Sequence, residues 1–158
     1  MKHLFIFFVS VLLLSCAGSD HPGSSLTGDH SGSTKGIDDS VTTKAMQDTS
    51  SYTSIQWLDS TSQDLGKISK GGVVEVSWRF RNTGNKPLIV ASVRPGCGCT
   101  VADRPDAPVA PGKEGVIRAK YDTKEQHTGE NQKNVTVVAN TLGNSSHLLT
   151  FRIELTDK

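Results

Sequence analysis

The chain has 158 residues and is almost neutral, with 17 basic and 16 acidic side chains. The length allows one modest domain with accessory segments. Balanced charge without basic clusters argues against nucleic-acid binding and against electrostatic attraction to an anionic membrane surface. Only 35% of the residues are hydrophobic, and they are unevenly distributed: residues 17–51 contain few large apolar side chains, whereas residues 52–158 contain many.

Residues 1–15 have the pattern of a secretory signal peptide. Lys2 provides a positive start, and residues 4–14 are apolar except for Ser10. This run is too short for a transmembrane helix, which needs roughly 20 apolar residues. The pattern therefore predicts export.

The apolar run ends in Leu13-Leu14-Ser15-Cys16, which resembles the lipobox of bacterial lipoproteins. The resemblance implies that Cys16 becomes the mature N-terminus and carries the lipid, which would anchor the protein stably to a membrane. Ala17 follows instead of an aspartate, and by proteobacterial sorting rules this favours the outer membrane. We expect a cell-envelope lipoprotein that faces the periplasm or the cell surface.

Residues 16–51 are predicted to be the lipidated cysteine and a flexible, disordered linker. The segment is rich in Ser, Thr, Gly and Asp and has too few apolar side chains to offset the entropy of ordering. His21 and His30 are interpreted as solvated linker residues. Asp39-Ser40-Val41 resembles the O-glycosylation site of Bacteroidetes-type bacteria.

From Tyr52 onward the apolar residues alternate with polar ones, which predicts strands with one buried face. Residues 88–93 are apolar on both faces, which predicts a central strand, and short strands are expected at residues 55–58 and 65–68. No long segment has helical periodicity, so residues 52–158 are predicted to form an all-β, antiparallel sandwich. Trp78 is interpreted as a core residue rather than a ligand platform. The predicted inward-facing side chains are Val74, Val76, Trp78, Phe80, Ile117, Ala119, Tyr121, Val135, Val137, Ala139, Leu149, Phe151, Ile153 and Leu155.

Three motifs follow one another in this region: an Asn82-Thr83-Gly84 turn, the segment Gly96-Cys97-Gly98-Cys99-Thr100, and a Pro111-Gly112 turn. Together they resemble the bacterial domain of unknown function 1573, over residues 57–155. The resemblance implies an immunoglobulin-like sandwich akin to the major-sperm-protein and pilus-chaperone group, and many members are lipoproteins. It implies no biochemical activity. The chain departs from the family at Gly96, where a serine is common.

Cys97 and Cys99 allow three interpretations. In an exported protein two thiols tend to form a disulfide, and this pair could be structural or redox-active. Two thiolates also suit Cu(I) or Zn, although a closed zinc site needs about four ligands and only His127 and His147 are available to complete it. In the third interpretation the cysteines and glycines only shape a loop.

No catalytic constellation is found; Asp103, Asp106, Asp122, Glu125 and Glu130 are interpreted as solvated residues. We therefore predict a non-enzymatic binding or scaffolding module without a cofactor. A protein or peptide partner in the envelope would be bound by an edge strand or by loops at one end of the sandwich. The alternative is a redox-active or copper-handling envelope protein that uses Cys97-Gly98-Cys99.

Overall fold

The computed structural model describes residues 37–157. Two four-stranded sheets enclose one hydrophobic core, and the prediction of an all-β, immunoglobulin-like sandwich is confirmed. Sheet 1 has the strand order β1-β3-β6-β5, and sheet 2 has the order β2-β8-β7-β4. The strands are β1 (Ile55–Trp57), β2 (Ser62–Ser69), β3 (Val73–Asn82), β4 (Val90–Pro95), β5 (Thr100–Asp103), β6 (Glu114–Asp122), β7 (Gly129–Ala139) and β8 (Ser146–Thr156).

The core consists of the side chains that the alternating pattern points inward. Trp78 and Phe80 of β3 are completely buried, as is Phe151 of β8, so the interpretation of Trp78 as a core residue is confirmed. Full burial of one large apolar side chain contributes about 1.5–3 kcal/mol. Of the predicted inward row only Val74 is partly exposed, and it still packs against the core.

The prediction of a wholly antiparallel sandwich is wrong at one pair of strands. β2 runs parallel to β8, from Ser62 opposite Thr150 to Ser69 opposite Thr156, so sheet 2 is mixed. A short connection takes the chain from β1 in sheet 1 to β2 in sheet 2.

The prediction of a central strand at residues 88–93 is also wrong, because β4 lies at the edge of sheet 2. Val90 points into the core, whereas Ile89 is buried on the other side of the chain, against Ile37 and Ala45. A pattern that is apolar on both faces arises here from a covering helix rather than from a central position.

That helix, α1 (Asp39–Gln47), lies in the segment predicted to be a flexible linker. The Asp38 carboxylate accepts a hydrogen bond from the Ser40 amide at 2.8 Å, which caps the helix N-terminus. A 3-10 turn follows at Thr49–Ser51, and the Tyr52 hydroxyl donates to the Met46 carbonyl at 3.0 Å. The linker prediction is therefore wrong for residues 38–51, where capping and a small apolar contact give the chain a defined structure; residues 16–36 lie outside the described part.

Candidate functional site: the cysteine corner and the β6 cleft

Cys97 and Cys99 lie in the corner that connects β4 of sheet 2 to β5 of sheet 1. Their sulfur atoms are joined as a disulfide, with an S–S distance of 1.97 Å and a Cα–Cα distance of 5.3 Å. The Cα separation falls within the range that a disulfide spans without backbone movement, about 4.4–6.8 Å. The structure therefore brings together the two residues that the sequence singled out.

Main-chain hydrogen bonds attach this corner to both sheets. The Gly96 amide donates to the Asn134 carbonyl of β7 at 2.9 Å, and the Asp122 amide of β6 donates to the Cys99 carbonyl at 3.0 Å. A Cβ atom on Gly96 would lie 2.0 Å from Asn134 Oδ1, so a larger residue here requires that side chain to move. Glycine at this position serves the close approach of two chain segments rather than an unusual backbone angle.

Cys97 and Cys99 are half-buried residues, and Cys99 packs against the core. The buried Thr100 hydroxyl lies 3.5 Å from Cys97 Sγ. Opposite Thr100 in the ladder is Tyr121, whose hydroxyl donates to Asn131 Oδ1 at 3.2 Å, and burial raises the pKa of Tyr121. The corner therefore has one side on rigid, buried structure and one side accessible to solvent.

The structure does not assemble the proposed metal site. His127 is exposed, whereas His147 contacts Thr141 Oγ1 at 2.8 Å and the Trp57 ring at 5.8 Å between centroids. Burial lowers the pKa of His147. Within residues 37–157, no group of three or more His, Cys, Asp or Glu side chains is placed to hold a metal ion. The four-ligand set of two cysteines and two histidines is therefore not formed in the described part of the chain.

Cys16, His21 and His30 lie outside the described residues, so lipidation and the signal peptide stay predictions. Ser40 of the glycosylation-like tripeptide is exposed in the first turn of α1. In the part of the chain that the structure describes, no helix has the length and apolar character needed to cross a membrane.

A second feature, which we did not anticipate from the sequence, lies beyond the end of β5. β5 pairs with β6 only from Thr100 opposite Tyr121 to Asp103 opposite Arg118, whereas β6 begins at Glu114. The first half of β6 therefore has no strand on its β5 side. We name the space there the β6 cleft: it is bounded by residues 103–110 on one side and by residues 113–116 and Arg118 on the other, and its volume is about 560 Å³.

The hydrogen-bond pattern shows which main-chain groups face the β6 cleft. The Asn82 amide of β3 donates to the Lys113 carbonyl, and the Asp122 amide donates to the Cys99 carbonyl. Bonding directions alternate along an antiparallel strand, so the even-numbered residues of β6 face β5. The amide and carbonyl of Val116 consequently face the cleft, and no hydrogen-bond partner for them is present among the described residues.

The sequence explains why β5 stops. Continuing the register from Asp103 opposite Arg118 places Pro105 opposite Val116. Proline has no amide hydrogen, so it cannot donate to the Val116 carbonyl, and it is therefore confined to positions outside a paired ladder. The Pro-rich composition of residues 103–111 was visible in the sequence, but its consequence depends on a register that the sequence does not show.

The strand order of the two sheets, with β2 added in parallel to β8, places the domain in the class of immunoglobulin-like β-sandwiches. Within this class the chain belongs to the family described as protein of unknown function (DUF1573), whose model matches residues 56–155. The resemblance inferred from the three motifs is therefore confirmed.

Three solved structures show the same fold at low sequence identity. A protein of unknown function from Porphyromonas gingivalis has a TM-score of 0.60 and 19% identity, and the match covers 68% of this chain and 49% of that one. The secreted serine protease VesC from Vibrio cholerae has a TM-score of 0.50 and 13% identity, covering 65% of this chain and 23% of that one. The VesB protease from Vibrio cholerae has a TM-score of 0.50 and 18% identity, and the match covers 66% of this chain and 32% of that one.

This chain thus spans about half of the Porphyromonas protein and a smaller share of each protease. At these identities the likeness shows the fold alone. No curated protein matches the chain in sequence.

Proposed function

We propose that this protein is a lipid-anchored component of the bacterial cell envelope whose β-sandwich binds a protein or peptide partner. The observation that carries the binding role is the unpaired main chain of Val116 inside the β6 cleft. Unpaired donors and acceptors at a sheet edge are a template for another chain. The absence of enzymatic activity stays a prediction.

Two observations support the envelope location. The lipobox-like sequence ends at Cys16, directly after the apolar run. Cys97 and Cys99 lie at bonding distance, and disulfides persist in exported proteins rather than in a reducing cytoplasm.

The anchor is tested by growing cells that express the full-length chain with labelled palmitate. We expect label and membrane association in the wild type and in the double variant Cys97→Ser, Cys99→Ser, and loss of both in Cys16→Ser. The double variant is the matched control, since it removes two cysteines but keeps Cys16. An unlabelled wild type, or a Cys16→Ser variant that still carries label, would overturn the lipoprotein assignment.

The binding role is tested by chemical cross-linking in intact cells. We expect the full-length chain to give a discrete cross-linked product with a second protein. The control carries residues 1–36 fused to an unrelated soluble domain, so that it shares the anchor and lacks the sandwich. If the wild type gives no product that the control lacks, the binding module is refuted.

Thiol–disulfide exchange is a second candidate function, favoured by the position of the sulfurs in a half-exposed corner. In such an exchange a partner thiolate attacks one sulfur, a mixed disulfide forms, and the other cysteine leaves as the thiolate. A second thiolate of the same partner then attacks the mixed disulfide, which oxidises the partner and leaves Cys97 and Cys99 as a dithiol.

This candidate is tested by incubating the protein with a reduced dithiol peptide and measuring peptide disulfide and free protein thiols together. Redox exchange predicts one peptide disulfide for each pair of protein thiols formed. The double variant Cys97→Ser, Cys99→Ser is the blank. No peptide oxidation above that blank would remove this candidate and leave the binding role untouched.

A further inference from the structure

We infer that the β6 cleft binds an extended peptide segment, which pairs with β6 in line with β5 and has apolar side chains at alternate positions. This inference rests on the proposed binding role and specifies its site and its ligand.

The main chain of the cleft calls for a partner that offers both a donor and an acceptor. The Val116 amide and carbonyl point into the cleft, and Pro105, the residue opposite in register, has no amide hydrogen. An extended peptide provides an amide and a carbonyl on the same edge at every second residue, which is the pattern of β-strand addition. A compact ligand with one polar group would leave half of this pattern unpaired.

The side chains of the cleft specify alternation in the peptide. Val116 and Arg118 lie on the outer face of sheet 1, whereas Ile117 points into the core. A peptide residue bonded to Val116 therefore has its side chain on the outer face, and its neighbours point inward. Inward side chains would meet an apolar wall that includes Ala107, Pro108 and Val109, so small apolar residues fit there.

Gly115 adds no room on the inner side of β6. The Phe80 ring of β3 fills the space that a side chain at this position would occupy, since a Cβ atom would lie 2.4 Å from the ring. Phe80 is itself completely buried in the core. The apolar contacts of inward peptide side chains are therefore with the loop residues of the cleft.

Size and charge agree with a short strand. The part of β6 beyond the pair Asp103–Arg118 runs from Glu114 to Ile117 and rises about 10 Å at roughly 3.3 Å per residue, which corresponds to a peptide core of about four residues. The cleft volume of about 560 Å³ is within the usual range for ligand sites, about 300–1,000 Å³. The cleft is lined by charged side chains of both signs, namely Asp103, Asp106, Glu114, Arg104, Lys113 and Arg118. Lys113 and Arg118 have no ion-pair partner among the described residues, so an acidic residue at a peptide end can pair with either of them.

The probe is the peptide acetyl-Glu-Val-Thr-Val-Thr-Val-Glu-amide, titrated into the ¹⁵N-labelled full-length chain in detergent micelles. Valines facing inward leave the threonine amides to pair with β6. We expect the amide signals of Glu114 and Val116 to shift at peptide concentrations on the order of 1 mM. The absence of shifts at these residues would overturn the inference.

Two isomeric peptides provide the control for main-chain pairing. N-methylation of both threonines removes the amides that face β6, whereas N-methylation of the first two valines removes amides that face away. We expect the threonine-methylated peptide to bind at least about tenfold more weakly than the valine-methylated one. Equal affinity of the two isomers would contradict strand pairing.

Two protein variants test the cleft from opposite directions. Val116→Pro removes the amide that faces the cleft and leaves every amide of the β3–β6 ladder in place, so it should abolish peptide binding. Val116→Thr is its matched control and should bind normally.

Pro105→Val restores the missing amide donor opposite Val116, so β5 can lengthen and compete with the peptide. We expect weaker peptide binding and slower hydrogen exchange at the Val116 amide, and unchanged binding by Pro105→Val would contradict the inference even if Val116→Pro does not fold.

Cross-linking in cells separates this inference from the proposed function. If Val116→Pro and Val116→Thr give the wild-type cross-linked product equally, the cleft is not the binding site although the module binds. If the wild type itself gives no specific product, the proposed function fails. Loss of the product in Val116→Pro together with a weaker product in Pro105→Val, while Val116→Thr keeps it, supports both.

Discussion

The two central strands of sheet 1, β3 and β6, both extend beyond their outer neighbours, β1 and β5. Within the described part of the chain, the main-chain groups exposed in this way have hydrogen-bond partners on β3 but not on β6. On the β1 side of β3, the Asp59 carboxylate accepts from the Arg79 amide at 2.8 Å, and the Gln63 side chain donates to the Ser77 carbonyl at 2.8 Å. On the β5 side of β6, the groups of Val116 have no such partner among the described residues. This fold can therefore provide side-chain partners for main-chain groups at the edge of a sheet.

The difference originates in the adjoining loops. Two polar side chains replace the missing strand beside β3, Asp59 in the loop between β1 and β2 and Gln63 at the start of β2, and such covering is one way that proteins protect edges. The loop between β5 and β6 contains prolines that cannot donate to β6. Arg104 of that loop instead donates to the Val90 and Ala91 carbonyls of β4, so it protects sheet 2 and leaves β6 open.

The largest effect is expected from Asn82→Ala, because Asn82 connects the two sides of sheet 1. It is completely buried; Oδ1 accepts from the Thr53 hydroxyl at 2.9 Å, and Nδ2 donates to the Lys86 and Val109 carbonyls at 2.7 and 2.8 Å. Truncation removes the acceptor of the buried Thr53 hydroxyl and of the Gly84 amide, and it removes one hydrogen bond from each of the Lys86 and Val109 carbonyls, of which Val109 keeps the bond from the Leu88 amide. Each buried group left unpaired costs about 1–3 kcal/mol before relaxation. We expect the free energy of unfolding in urea to fall by about 3 kcal/mol.

The control for this prediction is Asn85→Ala, at an exposed residue of the same turn, which should change stability by less than about 0.5 kcal/mol. Because Val109 also bounds the β6 cleft, Asn82→Ala should weaken peptide binding as well. Equal stability of the two variants would show that Asn82 does not hold the cleft loop.

The second largest effect is expected from loss of the Cys97–Cys99 disulfide. This disulfide lies directly before the start of β5, whereas the other end of β5 is next to the open β6 cleft. Cys97 and Cys99 enclose a loop of three residues, given their sequence separation of 2. For so short a loop the chain-entropy relation gives a stabilisation of about 1.6 kcal/mol. We expect the double variant Cys97→Ser, Cys99→Ser to lose about this amount in thermal or urea unfolding.

Wild-type protein treated with a reductant is the matched comparison for the double variant and should unfold at the same urea concentration. Hydrogen exchange at the Val116 amide should be unchanged in both, because Pro105 and not the corner ends β5. Faster exchange at Val116 after reduction would show that the two ends of β5 are coupled.

Most of the fold could be predicted from the sequence because its signal is local. Alternation at Val76, Trp78 and Phe80 identifies a half-buried strand whichever neighbour it has. The direction of β2 and the edge position of β4 could not be predicted, because strand order depends on contacts far apart in the chain. For the same reason the burial of Ile89 by α1 was interpreted as the mark of a central strand.

The candidate site also has one part that could be predicted from the sequence and one part that could not. The Cys97–Cys99 pair is visible from spacing alone, and the structure brings the two sulfurs together. The open side of Val116 becomes visible only when Pro105 is placed opposite it, which requires the register of β5 on β6. Residue types identified the reactive groups, whereas missing partners could be found only from the three-dimensional arrangement.

A smaller effect is expected at the closed side of sheet 1, from Asp59→Ala. The Asp59 carboxylate accepts from the Arg79 amide and from the Arg79 guanidinium, with Oδ1 2.7 Å from Nη2. Since the pair is partly exposed, we expect a loss of about 1 kcal/mol, together with faster hydrogen exchange at the Arg79 amide. Asp106→Ala, at an exposed loop residue, is the control; unchanged exchange at Arg79 in Asp59→Ala would mean that the carboxylate does not protect this edge.

The smallest effect is the acid dependence of the same contact. Hydrogen bonds from Arg79 lower the pKa of Asp59 in the folded state, below the unfolded value of about 3.9. A lowered folded-state pKa gives stability that is complete above the unfolded pKa and is lost as the pH falls through the folded one. The difference in unfolding free energy between wild type and Asp59→Ala should therefore be constant above about pH 5 and should shrink as the pH approaches about 2. Both proteins should retain some acid dependence, because Arg152 lowers the pKa of Asp64 in the same direction. Urea unfolding at several pH values measures this, and parallel curves for the two proteins would show that Asp59 is not the group that makes the closed side sensitive to acid.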